Sequence, residues 1–372
     1  MSSPLVTDIQ QAIQQSGGAI TFARFMQLAL YHPQWGYYCT QQFTDDFTTA
    51  PEISPLFAQC FAQQVQQIFT ALPENNILEL GAGTGQFAKS LLLELEKLNA
   101  LPTRYCIKEI SPTLRQQQQR LLQIHCPHLI ERVTWLDQLP DSFVGVMMAN
   151  EVLDALPVHL LQTTDSGTKE LCITWENAKF SWCTRNPTNS LLAKYMALLQ
   201  REYAFSPGYI AEINVVMVDL ITALSQCLQQ GVLFFVDYGY GQREYYHPDR
   251  RRGTLTCFHQ HRHHDDPLLH VGEQDITAHV DFTRVAEAAV DAELTLAGYT
   301  TQAAFLLGCG LLTLAEEQAE SMDIKAQYRQ SQAIKQLILP SEMGERVKVM
   351  GLMKGGEISL MGFALGDRRR DL

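Results

Sequence analysis

The chain has 372 residues, 46% of them hydrophobic and 18% charged, which excludes a disordered or fibrous protein and leaves one elaborated globular domain or two average ones. Its 28 Lys and Arg against 40 Asp and Glu give a formal net charge of −12, the wrong sign for a whole-surface nucleic-acid binder. Nine cysteines without C-x-x-C spacing argue against a zinc or redox framework and for reduced thiols. The N-terminus has neither a basic-then-apolar leader nor an arginine-rich presequence, and no apolar run approaches a membrane span. The expectation is a cytoplasmic protein without a membrane span.

Residues 5–16 read as a helix ending at Gly17-Gly18, and 21–30 as a second, capped by Thr21 and broken at His32-Pro33. The stretch 46–55 packs hydroxyls, acids and two prolines before a helix at about 56–70. It reads either as a helix start with Ser54 capping and Pro55 in the first turn, or as a lid that brings Thr49 and Glu52 to a reacting centre. An apolar strand, Ile77 to Leu80, then enters Gly81-Ala82-Gly83-Thr84-Gly85 and leaves through a helix on which Phe87, Leu91, Leu95 and Leu98 recur at helical spacing. Strand, glycine turn and helix open a nucleotide-binding α/β domain, because glycines admit a ligand to the backbone. Gln86 stands where a dinucleotide fingerprint needs its third glycine, and no Gly-Lys-Ser/Thr follows. Glu79, just before the turn, would repel a pyrophosphate but suits a cationic ligand.

The second strand, Tyr105 to Ile110, carries Glu109 at its end, where a carboxylate in a doubly wound sheet can accept both hydroxyls of a ribose. Ser111-Pro112 starts a helix, Thr113 to His125, bearing the run Gln116 to Gln119; a third strand, Val133 to Leu136, leads into Asp137. The fourth, Phe143 to Ala149, is apolar throughout, as a strand buried on both faces should be. It ends in Asn150-Glu151-Val152-Leu153-Asp154. Glu151 and Asp154 would share one face of a helical turn and could hold a guanidinium by paired charge-assisted bonds; the alternative is an acidic, capped helix start. Residues 158–204 alternate as three short antiparallel strands and a helix, an insertion that builds a substrate surface or a homodimer face.

The α/β rhythm resumes with a helix at about 209–229 and a strand ending in Asp237-Tyr238-Gly239. A long loop, 242–282, holds a histidine cluster, His259 to His264, whose spacing lacks a zinc signature, so no metal is expected. It also holds Asp275, Thr277, His279 and Asp281, which combine acid, hydroxyl and imidazole before a helix at 283–297; they read equally as a capping stretch. A strand at 300–306, a polar helix at about 313–338, two strands at 347–354 and 358–365, and a frayed charged tail complete the chain.

Six segments, in order, resemble the MidA-like methyltransferases, a family that includes the mitochondrial arginine methyltransferase acting in respiratory complex I assembly. They are Asp46 to Phe57, Glu79 to Gly85, Glu109 to Arg115, Asn150 to Pro157, Asp237 to Gly239 and Asp275 to Phe282. The resemblance runs from about residue 20 to 353; Asp45, Val152 and Val271 depart from its usual residues. It implies a class I, Rossmann-like α/β fold: a seven-stranded, mostly parallel sheet with an N-terminal helical segment and cofactor lid (1–70), a core (71–157 and 205–365), an inserted antiparallel subdomain (158–204) and a tail (366–372). It implies S-adenosyl-L-methionine as cofactor, bound at Glu79, Gly81, Ala82, Gly83 and Gly85, at Glu109 and Ile110, at Asp137 facing adenine, and at Asn150, Thr49 and Pro51. The acceptor implied is a protein arginine, oriented by Glu151, Asp154 and Glu52, with His279 or Asp281 taking the released proton. A cofactor-binding assembly factor without turnover is the competing function.

Overall fold

The computed structural model describes residues 3–40, 49–187 and 189–372; Asp45, and Asp46, Phe47 and Thr48 of the expected lid, lie outside them. The chain divides into two compact units, one of residues 1–47, 154–219 and 242–279, the other of 48–153, 220–241 and 280–372.

The second unit is built on a sheet whose strands, in chain order, are β1 (Asn76–Leu80), β2 (Arg104–Lys108), β3 (Val133–Leu136), β4 (Phe143–Asn150), β5 (Leu228–Tyr240), β6 (Thr295–Thr301) and β7 (Val347–Lys354). Their order across the sheet is β3-β2-β1-β4-β5-β7-β6, with β7 antiparallel to both neighbours and the other pairs parallel. A two-residue strand, Val280–Asp281, adds to the end of β5. Strand order reverses beside β1, which pairs with β2 on one edge and β4 on the other, so ligands are expected at the carboxyl ends of β1 and β4. Every residue of β1 is buried, as is most of β4 and β5, which is why these segments read as continuous apolar runs. Aromatics fill the core: Phe61 lies 4.6 Å from Phe305 and 5.9 Å from Phe234, centroid to centroid.

Late elements differ from expectation. The strand of the 300 region is Thr295–Thr301; Thr301 then caps a helix, Gln302–Gly308, by accepting from Ala304 N. The polar stretch 313–338 is two helices, Leu311–Ala319 and Ile324–Ile338, because Asp323 caps a new start. Residues 361–363 form a 3-10 turn rather than a strand. There the Gln67 and Gln64 side chains accept from the amides of Met361 and Gly362, which a ladder would otherwise use. The tail is docked, not frayed: Arg368 N donates to Tyr299 O at 2.6 Å, and Asp371 O packs against Gly241 where a side chain would not fit.

The first unit contains helices Pro4–Gln15 and Phe22–Tyr31 and an antiparallel sheet of His159–Thr164, Gly167–Glu176 and Lys179–Arg185, flanked by Ile20–Thr21 and Ile210–Ile213. Asn177 and Ala178, at φ 51° and 59°, form the left-handed two-residue turn that suits a twisted hairpin. Ile210–Ile213 thus takes the start of the expected 209–229 helix, which begins only at Val216 and runs to Cys227. The stretch 242–279 is structured as well. Thr256–His259, Arg262–His264 and Asp275–Thr277 form a three-stranded sheet, turning at Gln260 and His261 with φ 49° and 59°. The unit is therefore larger than the expected insertion at 158–204, since the N-terminal helices and 242–279 share it.

Candidate active site

The second unit gathers most of the candidate residues. In the glycine turn φ is 62° at Gly81, 52° at Gly83 and 87° at Gly85, values that side chains rarely adopt. A Cβ on Gly83 would meet nothing within 4 Å, whereas one on Gly85 would lie 3.3 Å from Gln118. Gly83 thus keeps an open cradle at the backbone and Gly85 keeps the following helix close. Ala82, between Gly81 and Gly83, is buried. The turn fits a ligand that lies on main chain.

Glu79 is buried inside β1, and its carboxyl accepts from the Tyr105 hydroxyl at 2.7 Å. Burial pushes it up to about 8, against the Tyr105 hydrogen bond, with Glu109 adding to the rise. At neutral pH it is mostly a neutral acid. Its folded value lies above the ordinary 4.5, so the folded state holds a proton that the unfolded state has released. Stability must then fall as pH rises from about 4.5 to about 8 and level off above. Glu79→Gln, which mimics the neutral form, should flatten that fall by roughly half, Glu151 supplying a similar share; melting temperatures at pH 5, 6.5 and 8 check this.

Glu109 sits just past the carboxyl end of β2, 7% exposed. One oxygen accepts from Ser111 N at 2.9 Å and the other from Gln118 Nε2 at 3.0 Å. Burial raises its pKa, and those bonds oppose the rise. Ile110 beside it is 55% exposed, an apolar surface next to a carboxylate, as a nucleoside requires. Asp137 follows β3, is largely exposed, and bonds Arg115 at 2.7 Å, which lowers its pKa.

The short helix Ala50–Ile53 starts on a capping box in which Thr49 N donates to Glu52 Oε2 at 3.3 Å. The other Glu52 oxygen accepts from Thr84 Oγ1 at 3.2 Å, so Thr49, Pro51 and Glu52 are docked on the glycine turn. Glu151 follows β4 with φ 51°, held there by its N–H to Val236 O at 2.8 Å. A glutamate in the left-handed region costs about 1–2 kcal/mol and points to a functional constraint. Its carboxyl accepts from Asn150 Nδ2 and from the Ala50 N–H, yet burial, then Asp237 and Glu52, push it up to about 8. Asn150 Oδ1 is a buried acceptor for which no hydrogen bond is found among the described residues, an acceptor shaped for an incoming N–H. Asp237, 1% exposed, accepts from the amides of Val152 and Leu153 at 3.1 and 2.8 Å and fixes the backbone after Glu151.

The left-handed Glu151 removes the helical turn that was to put Glu151 and Asp154 on one face. Asp154 belongs to the first unit, buried, with its carbonyl accepting from Ala278 N at 2.9 Å. His279, in the same unit, donates its backbone N–H to Thr254 Oγ1, and Asp275 is buried and bonded by the Tyr38 hydroxyl at 2.8 Å. Asp281, in the second unit, accepts from Arg284 N at 3.1 Å and caps the helix Phe282–Asp291. That is the capping role the sequence also allowed.

Sequence reasoning missed two residues of this unit: Gln118, seen only as one of a glutamine run, and Thr84, which ties Glu52 to the turn. Both act through contacts distant in sequence, and neither belongs to a recognisable spacing.

With this geometry in hand, a family profile described as "Putative S-adenosyl-L-methionine-dependent methyltransferase" matches residues 57–300. A Danio rerio protein, Protein arginine methyltransferase NDUFAF7, mitochondrial, is 26% identical over 92% of this chain and 85% of its own. Its Drosophila melanogaster homolog is 28% identical over 91% and 83%. A Burkholderia thailandensis crystal structure, of a candidate methyl transferase bound to S-adenosyl-homocysteine, is 37% identical with TM-score 0.92, covering 100% of this chain and 99% of that one. The expected cytoplasmic location does not stand: the relatives from both animals are named as mitochondrial, and the lack of an arginine-rich start was no ground for excluding that compartment. Among the described residues no helix is long and apolar enough to cross a membrane.

Proposed function

We propose that this chain, which belongs to the family of S-adenosyl-L-methionine-dependent methyltransferases, methylates an arginine side chain of a partner protein. The observation that carries this reading is Glu151. A carboxyl group is held in a left-handed backbone beside Glu52 and Asp237, short of positive charge and raised to about 8. A guanidinium is the partner such a group lacks, because its arrival replaces the repulsion with paired, charge-assisted hydrogen bonds. The names of the animal relatives support the same acceptor.

Bound S-adenosyl-L-methionine supplies an electrophilic methyl group on a sulfonium. The backbone of Gly81, Gly83 and Gly85 would lie against it, with Glu109 accepting from the ribose and Ile110 giving an apolar face. Glu151 would orient the guanidinium and keep its lone pair on the attacking nitrogen, while Asn150 Oδ1 accepts a second N–H. Glu52, tied to Thr84, would hold the entry side of the glycine turn. None of these groups need move during transfer, so their contribution is positioning and fixed charge.

The free protein must ionise Glu151 to bind a guanidinium. kcat/KM should therefore rise about tenfold per pH unit below about 8 and level off above it, and Glu151→Gln should abolish that limb. The direct test adds isotopically labelled cofactor to lysate lacking the protein, then identifies the labelled amino acid. Methylarginine is expected; label on any other residue, or none, sinks the reading.

A further inference from the structure

We propose that Gln118 is a positioning residue for the cofactor, locking the glycine turn and the ribose-binding carboxylate into one geometry. Gln118 lies on the helix Pro112–His125 and is fully buried. One face of its amide, Nε2, donates to Gly83 O at 2.9 Å and to Glu109 Oε2 at 3.0 Å; the other, Oε1, accepts from the Trp135 indole N–H at 2.9 Å. Both of its N–H donors and its acceptor are thus matched. Its Cα and Cγ also stand 3.3 Å from where a Cβ on Gly85 would be. One side chain therefore touches the second and third glycines, the carboxylate at the end of β2, and Trp135 on β3.

Packing alone does not call for this residue. Burying a primary amide is unfavourable unless every polar atom is paired, and leucine fills nearly the same volume without that cost. What the amide adds is orientation. Glu109 follows a strand and has a flexible side chain; Gln118 holds one oxygen while the Ser111 amide holds the other, so the carboxylate plane is set before any ligand arrives. The Gly83 carbonyl is held by the same nitrogen, which keeps the turn from closing over its own open cradle. Preorganisation of this kind lowers the ordering cost of binding.

The inference rests on Glu109 as the ribose acceptor, and the experiment separates the two claims. S-adenosyl-homocysteine is titrated calorimetrically into the full chain and into Gln118→Leu, Glu109→Gln and the double variant. Each single change should raise Kd about 10–100-fold. The double should raise Kd clearly less than the product of the two single changes, because Gln118 acts in part through the Glu109 carboxylate. Trp135→Phe removes the indole N–H together with part of a partly buried ring and should raise Kd about 2–5-fold, which keeps the test alive if Gln118→Leu fails to fold. Unchanged affinity in Gln118→Leu and Trp135→Phe, or losses that add in the double, overturns the positioning role while leaving the ribose reading intact. An unchanged Kd in Glu109→Gln overturns both.

Discussion

Glu151→Gln should lower methyl transfer by about 10²–10³-fold while S-adenosyl-homocysteine affinity stays within about 3-fold of the unchanged protein. Glutamine keeps the shape and the hydrogen bonds of the neutral acid, which is the form that burial favours below pH 8. The fold should therefore be undisturbed. What is lost is the negative charge that a guanidinium would induce on binding, so the defect should appear in the step that engages the acceptor. Glu151→Gly separates backbone from side chain. Glycine removes both the strain at φ 51° and a carboxyl raised by burial. The melting temperature should then equal or exceed that of the unchanged protein while transfer falls as in the glutamine variant. Strain kept at the cost of stability is the signature of a residue retained for chemistry. If Glu151→Gln transfers methyl groups at the unchanged rate, another group binds the acceptor.

Gly231→Ala should destabilise the sheet by about 3 kcal/mol or more. Gly231 on β5 pairs in register with Gly145 on β4, at φ 144° and 148°, backbone angles that L side chains rarely adopt. A Cβ on Gly231 would overlap the carbonyl oxygen of Gly145, and one on Gly145 would overlap that of Asn76 in β1. Neither neighbour can yield, because all three positions lie in central strands of the sheet. The expected fall in melting temperature is about 6–12 °C, or loss of soluble protein. The damage would reach function indirectly, since β4 delivers Asn150 and β5 delivers Asp237. A melting temperature within about 2 °C of the unchanged protein would show that the strands can separate there at little cost.

These predictions depend on features of differing legibility. The strand and glycine turn at 77–85 could be read directly, because an apolar strand, positive-φ glycines and a helical repeat are all local. Glu109 was equally legible: its place depends only on where β2 ends, and Ser111-Pro112 marks the next helix start. The hairpins of 159–185 were readable from alternation and turn residues for the same reason. The late segment was misread where a single cap decides the outcome. Thr301 and Asp323 each begin a helix inside an apolar or polar run whose periodicity is ambiguous.

The local chain determined the class of the molecule, its glycine turn and the end of each central strand, since short-range sterics and hydrophobic periodicity suffice for these. Only the tertiary structure decided how the acids are used. Glu151 is left-handed because its amide is claimed by Val236 on a neighbouring strand, so no helical turn joins it to Asp154. Asp237 holds the amides of residues 152 and 153, and Asp281 caps a helix. Gln118 gains its meaning from Gly83, 35 positions away, and Trp135, 17 positions away. A carboxylate or amide reads the same in sequence whether it faces a ligand, a cap or a neighbouring strand; hydrogen-bond partners brought from far along the chain make that choice.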